Sequence, residues 1–401
     1  MITETVANRP EVDLLLCCAR TSKTPETASR IRALVRDGVD WEYLLRLARV
    51  HSIAPLLYWH LDAAFIEDDV PESVLNHLRG YFRANNLRNL SRTRELLRIL
   101  HTLETSKIAV VPFKGPVLAA SVYKNFALRE FGDLDILVRR QDVAKARELL
   151  TSLGYRPQYE LSRAQEAAFL KYEREYTFVR DSGDIVELHW ELAPRVFSFS
   201  LNTDHIWERL MQVSLGGETV PAFSPEDLLL FLCTHASGHL WTRLAWICDV
   251  AEVINAYEGM DWERLLASAR ATGSERILFL GLLLASELLG ANLPKNILNK
   301  VRADAIVGAL AEQVHKRIFR EAEDLQKVFD EESSHFQPLH LQMLQRKRDR
   351  VRYYIRQGTA PILADWALRP LPAPLLPLYR IFRPIRLAGR YGRKKLRRVY
   401  D

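Results

Sequence analysis

The hydrophobic positions of the first hundred residues recur at three- and four-residue spacing. In WEYLLRLARVHSIAPLLYWHL, Leu44, Leu45, Leu47, Ala48, Ile53, Leu56 and Leu57 fall at roughly helical intervals, and Pro55 marks a new helix start. In NLRNLSRTRELLRILHTLE, Leu87, Leu90, Leu97, Ile99, Leu100 and Leu103 are separated by Arg and Glu, the pattern of an amphipathic helix. The period then changes. IAVVPF (residues 108–113) is a short apolar run; Lys114-Gly115-Pro116 and then VLAASVYKNFAL follow it. That order predicts a strand, a tight turn, and a helix with proline in its first turn. LDILV (134–138) predicts a second strand, and DVAKARELLTSLGY a second helix closing at Gly154. REYTFVRDSGDIVELHWEL predicts a hairpin turning at Asp181-Ser182-Gly183-Asp184. Residues 107–192 thus make a small α/β unit with a mixed sheet. From Pro225 the helical period returns in PEDLLLFLCTHASGHLWTRLAWICDVAEVINAY, DWERLLASARATG and RILFLGLLLASELLG.

The expected fold class is therefore α+β. A mixed-sheet core at 105–223 lies between an N-terminal helical region at 1–104 and a C-terminal helical bundle at 224–357. A Pro-rich, then basic, extension follows at 358–401. The 401 residues are 48% hydrophobic and 26% charged, which suits a globular protein with a full core. No stretch reaches the roughly 20 apolar residues that span a bilayer. The first residues, MITETVANRPEVD, lack the basic and apolar regions of a signal peptide, so a cytoplasmic location is expected. Cys17, Cys18, Cys233 and Cys248 are too few and too unevenly placed for a disulfide framework, and read as reduced thiols.

Charge changes the picture only at one end. After Pro370 there are nine Lys/Arg against one acid, +8; the rest of the chain holds 47 basic and 49 acidic residues, −2. The net +6 is a property of the tail, so nucleic acid is not the expected partner. The tail interleaves apolar residues with Arg380, Arg383 and Arg386. It reads as a solvated segment or as a peripheral contact with the inner, anionic face of a membrane.

The candidate chemistry centres on Gly132-Asp133-Leu134-Asp135-Ile136-Leu137-Val138. On a strand, acids at i and i+2 share one face while Leu134 points to the other. Two carboxylates held this way can bind magnesium or manganese, hard cations that keep positions free for phosphate oxygens. Asp-x-Asp pairs also occur at solvated strand ends. Phe113-Lys114-Gly115-Pro116 suits a triphosphate: the glycine permits close backbone approach, the following helix start favours an anion, and Lys114 adds a charge. Glu187, between Val186 and Leu188 on a later strand, can supply a third carboxylate; otherwise it pairs with a surface cation.

FKGPVLAASVYKNFALREFGDLDILV followed by IVELHW resembles the nucleotidyltransferases of the polymerase-beta-like superfamily. The likeness is greatest to a bacterial group known as nucleotidyltransferase family proteins, and extends to both flanking helical segments. The resemblance implies a Gly turn holding the triphosphate at Lys114-Gly115, a metal-binding pair at Asp133 and Asp135, and a third acid at Glu187. It also implies a nucleotidyltransferase core using Mg2+ (or Mn2+) and a nucleoside triphosphate, with an unidentified acceptor. Arg129 fits the pattern as a phosphate clamp or as a structural ion pair. One departure is plain: Pro116, which has no N–H, stands where the superfamily places serine or glycine.

His189, His239, Trp241, Arg243 and Asp249 are candidates for the acceptor side, with Asp249 as a general base. His235 and His239 lie at i, i+4, as metal ligands can, but Ala-Ser-Gly between them supplies no glutamate for a metalloprotease. Two alternatives remain open at this level. One is an Asp-x-Asp glycosyltransferase using a sugar nucleotide. The other is a non-catalytic nucleotide-binding or protein-interaction module.

Overall fold

A computed structural model describes residues 9–63, 69–162, 165–166, 169–170, 173–193, 197, 201, 203–319, 337–359 and 378–384. Five helices open the chain: α1 (Pro10–Cys18), α2 (Pro25–Arg36), α3 (Trp41–Val50), α4 (Ala54–Ala63) and α5 (Glu72–Thr105). Thr24 and Asp40 start α2 and α3 by accepting from the backbone N–H groups of Thr27 and Tyr43. The 34-residue α5 is the spine between the two hydrophobic cores. Leu75 and Leu78 of its first half join the helical core, whereas Leu96, Ile99, Leu100 and Leu103 join the core under the sheet.

The sheet is built from β1 (Val110–Pro112), β2 (Asp133–Val138), β3 (Arg156–Pro157), β4 (Glu175–Val179) and β5 (Ile185–His189), in the order β1-β2-β5-β4-β3. β2 and β5 run parallel and the other pairs antiparallel, so the sheet is mixed as expected. Helix α6 (Gly115–Ser121) follows β1, and α7 (Val143–Ser152) follows β2. The expected helix after Pro116 stops early at Ser121, and Lys124 turns the chain with a positive φ.

Alternation decides the two sheet faces. Leu134, Ile136, Val138, Val186, Leu188 and Phe178 are fully buried against the core that contains α5 and α7. Asp133, Asp135, Glu187 and His189 occupy the intervening positions and face the other way.

After α8 (Thr203–Glu208) comes a hairpin that the sequence pattern did not bring out, β6 (Met211–Leu215) and β7 (Glu218–Ala222). Gly216 and Gly217 form its two-residue turn with φ of 60° and 91°, the geometry for which paired glycines are suited. The bundle follows: α9 (Pro225–Gly238), α10 (Leu244–Ala256), α11 (Trp262–Thr272), α12 (Glu275–Leu289), α13 (Lys295–Arg302), α14 (Ala305–Ile318), α15 (Pro338–Met343) and α16 (Lys347–Thr359). Among the described residues no helix is long and apolar enough to cross a membrane. Most of the basic tail, 360–377 and 385–401, lies outside the described residues. The part at 378–384 is packed and not merely an extension. Tyr379 and Arg383 are buried, and Arg383 Nε donates to the Gln357 carbonyl at 3.1 Å.

Candidate active site

A cleft of about 730 Å3 lies between the polar sheet face and helices α9 and α10. Asp133, Glu187 and His189 line it from the sheet, with Lys114 and Gly115 at one edge and His235 and Trp246 opposite.

The centre of the site is set by strand register. Asp135 pairs directly with Glu187 across the parallel β2–β5 ladder, and His189 follows Glu187 at i+2 on the same face. The carboxylates of Asp133, Asp135 and Glu187 therefore lie on one side of the sheet. Asp135 is 3% exposed, and its Oδ2 has no hydrogen-bond partner. One donor atom from each of Asp135, Glu187 and His189 lies within 4.8 Å of the others, a spacing that could hold a metal ion.

Two cations offset this negative charge. Lys114 Nζ stands 2.6 Å from Asp135 Oδ1. His189 Nε2 lies 3.3 Å from Asp135 Oδ1 and 3.3 Å from Glu187 Oε2, and its Nδ1 lies 3.1 Å from Glu175 Oε2. The electrostatics follow. Burial alone would discharge Lys114, but Asp135, Asp133 and Glu187 outweigh it and raise its pKa. The same contest pushes His189 up to about 10, with Glu175, Asp135 and Glu187 opposing burial. Burial raises Asp135, but Lys114 and His189 overcome it and bring the carboxyl down to about 2. Asp133 is raised by burial and by Asp135.

The Gly115 turn has a physical reason for its residue. Its φ is +41°, and a Cβ there would stand 3.3 Å from the Asp133 carbonyl oxygen, with the Phe131 ring at 3.6 Å. Beneath the turn, Phe113 stacks on Phe223 (centroids 5.1 Å, planes 9° apart) and meets His189 and Phe231 edge-on at 5.0 and 5.1 Å. This aromatic cluster joins sheet to bundle under the site.

Arg129 and Asp249 are brought together, although the sequence suggested separate roles. Arg129 Nε and Nη2 each donate to Asp249 at 2.8 Å, and Tyr123 Oη donates to the same carboxylate at 2.7 Å. Burial would lower the Arg129 pKa, but Asp249 raises it. Asp249 is 1% exposed and does not line the cleft, so its carboxylate is committed to Arg129 and Tyr123, away from an acceptor. Arg129 does line the cleft, and its Nη1 has no hydrogen-bond partner. Asn85 and Asn89 on α5 hold the loop that carries Arg129. Asn89 Nδ2 donates to the Phe126 and Arg129 carbonyls at 2.7 and 2.8 Å, and Asn85 Nδ2 to the Ala127 carbonyl at 2.9 Å. Tyr81 Oη donates to Glu130, and Arg92 to the Phe131 carbonyl.

Of the other acceptor-side candidates, His239 and Arg243 line the cleft. Trp241 does not. It is fully buried, its indole N–H donates to Ser237 Oγ at 2.9 Å, and its ring packs so closely on Gly281 that a Cβ there would stand 3.0 Å away. The large apolar ring prefers this pocket to the cleft wall. His235 and Trp246, which the sequence reading did not select for the cleft, line it. His235, His239 and Trp246 form a ring cluster with centroids 4.8 to 5.9 Å apart. Burial and the nearby Lys114 hold His235 well below its ordinary pKa, so it is neutral. Glu175 was also missed; its position directly opposite His189 in the β4–β5 hairpin is a register signal readable from the strand pairing.

The family described as "Uncharacterised nucleotidyltransferase" matches residues 37–290, and the chain belongs to it. That span contains the sheet, the acids and the two helices opposite them. No curated protein matches the sequence. Among solved structures the chain is similar to the antibiotic-resistance factor ANT(2'')-Ia. The two share 12% identity and a TM-score of 0.33, over 46% of this chain and 91% of that one.

Proposed function

We propose that this nucleotidyltransferase moves a nucleoside monophosphate from a nucleoside triphosphate to an acceptor hydroxyl or phosphate, with a divalent cation held by Asp133, Asp135 and Glu187. The carrying observation is the register that sets Asp135 beside Glu187 with Asp135 Oδ2 buried and unpartnered. A carboxylate oxygen in that state is costly unless a cation meets it. The donor set fits Mg2+ or Mn2+, which take carboxylate oxygens and keep room for phosphate. When bound, such an ion offsets phosphate charge and makes an acceptor oxygen easier to deprotonate.

The chain's own residues supply the rest. Lys114, charged and one residue from Gly115, neutralises a phosphate oxygen. Gly115 leaves backbone room for the triphosphate, and Pro116 removes one N–H from the turn, which Lys114 replaces. Arg129, fixed by Asp249 through two nitrogens, has Nη1 left to donate to phosphate. His239 and Arg243 stand where the acceptor would enter. Preorganised cations of this kind lower the barrier because they need no rearrangement as charge develops. A sugar-nucleotide glycosyltransferase would be expected to open with a larger nucleotide-binding α/β unit, whereas among the described residues the elements before β1 are the five helices α1 to α5.

The test is equilibrium binding of the four nucleoside triphosphates with and without Mg2+. The wild type is expected to bind in a Mg2+-dependent way, and the Asp133→Asn/Asp135→Asn double variant to lose that dependence. Equal binding by both proteins sinks the proposal.

A further inference from the structure

We propose that His189 completes the metal centre as a nitrogen ligand, that Glu175 orients it, and that the site consequently selects manganese over magnesium. This rests on the reading that the three acids hold a divalent cation.

His189 ends β5 two residues after Glu187, so strand alternation places its ring on the carboxylate face. Glu175, its antiparallel partner on β4, lies 3.1 Å from Nδ1. The edge contact with Phe113 restrains the ring from below. The second nitrogen, Nε2, is buried and lies 3.3 Å from an oxygen of both Asp135 and Glu187; in the metal-free chain it carries a proton, which an incoming ion displaces to solvent. A histidine with one nitrogen held by a carboxylate and the other turned toward two acids has the arrangement of a ligand with its outer-shell partner. Magnesium favours an all-oxygen shell and gives up water reluctantly, whereas imidazole suits first-row transition ions. Lys114, 2.6 Å from Asp135 Oδ1, satisfies part of the same negative charge.

The experiment uses the full chain and the metal alone. Calorimetric titration of wild type with MnCl2 and MgCl2 is expected to show manganese binding about tenfold or more tighter. His189→Asn should bring the two affinities to within about threefold by weakening manganese, and Glu175→Gln should weaken manganese about tenfold with little change for magnesium. Pulsed EPR of the manganese-loaded wild type should show coupling to an imidazole nitrogen, a readout that needs no variant to fold. If that coupling is absent, or the manganese-to-magnesium ratio is the same in His189→Asn, the inference is overturned while the carboxylate site stands. If the wild type binds neither ion, even with nucleoside triphosphate present, the inference and the proposed function fall together.

Discussion

Arg129 and Asp249, 120 residues apart, meet in a two-point ion pair with both N···O distances at 2.8 Å. The pair ties the loop before the acidic strand to helix α10 of the bundle. Asp249→Asn leaves a buried guanidinium without its counter-charge, and the expected loss of stability is about 3–5 kcal/mol. Urea unfolding followed by circular dichroism checks this. A loss under about 1 kcal/mol would mean that water already solvates the pair.

Asn85 and Asn89 are buried amides on the inner face of α5, and they hold the carbonyls of residues 126, 127 and 129. Their replacement by alanine leaves those carbonyls short of donors, at about 1–3 kcal/mol each. Amide hydrogen exchange over residues 126–131 should quicken in Asn89→Ala, because the loop loses its anchor. Unchanged exchange there would contradict the anchoring role.

Gly115→Ala forces a side chain into a left-handed backbone beside the Asp133 carbonyl. The strain expected is about 1–3 kcal/mol, and it falls on the turn proposed to receive phosphate. Nucleotide affinity should therefore drop more than ten-fold (about 1.4 kcal/mol) while the far-ultraviolet spectrum is retained. A variant that binds nucleotide as well as wild type would show that the turn does not approach the ligand.

Two buried histidines that do not line the cleft set an acid limit on stability. Burial holds His51 at about 3 and His340 at about 4, below the ordinary 6.5. Each stays neutral in the folded chain but takes a proton when unfolded, so the unfolded state binds more protons as pH falls below 6.5. Stability is then lost progressively from about 6.5 toward 4, with a slope of about 1.4 kcal/mol per pH unit for each group. His51→Gln/His340→Gln should flatten the fall in melting temperature between pH 6.5 and 4.5. An unaltered slope would assign the acid sensitivity to other groups.

Strand alternation explains what could be read from the sequence. Asp133, Leu134 and Asp135 announce a two-faced strand and Val186-Glu187-Leu188 another, so the common face of Asp133 and Asp135 follows from period-two geometry, whereas Glu187 joins them only through the β2–β5 register. The mixed sheet and its helical flanks were legible for the same reason. Long-range pairing was not. Arg129 meeting Asp249 and Glu175 meeting His189 depend on how elements pack, which local periodicity does not encode. Asn85 and Asn89 look like solvated positions on an amphipathic helix, because an amide gives no sign in sequence that it will satisfy a distant loop. The β6–β7 hairpin was overlooked although Gly216-Gly217 between alternating runs marks such a turn. Trp241 is expected on the acceptor side because the resemblance puts acceptor contacts on the C-terminal helices; the left-handed backbone at Leu240 and Trp241 accompanies its burial in the core instead.

The most direct measurement is anomalous diffraction from crystals grown with Mn2+ and a non-hydrolysable nucleoside triphosphate. The account predicts a manganese peak at bonding distance, about 2.2 Å, from carboxylate oxygens of Asp135 and Glu187, with the triphosphate beside Lys114 and Gly115. A peak at His235 and His239 instead, or a nucleotide bound away from the sheet face, would contradict it.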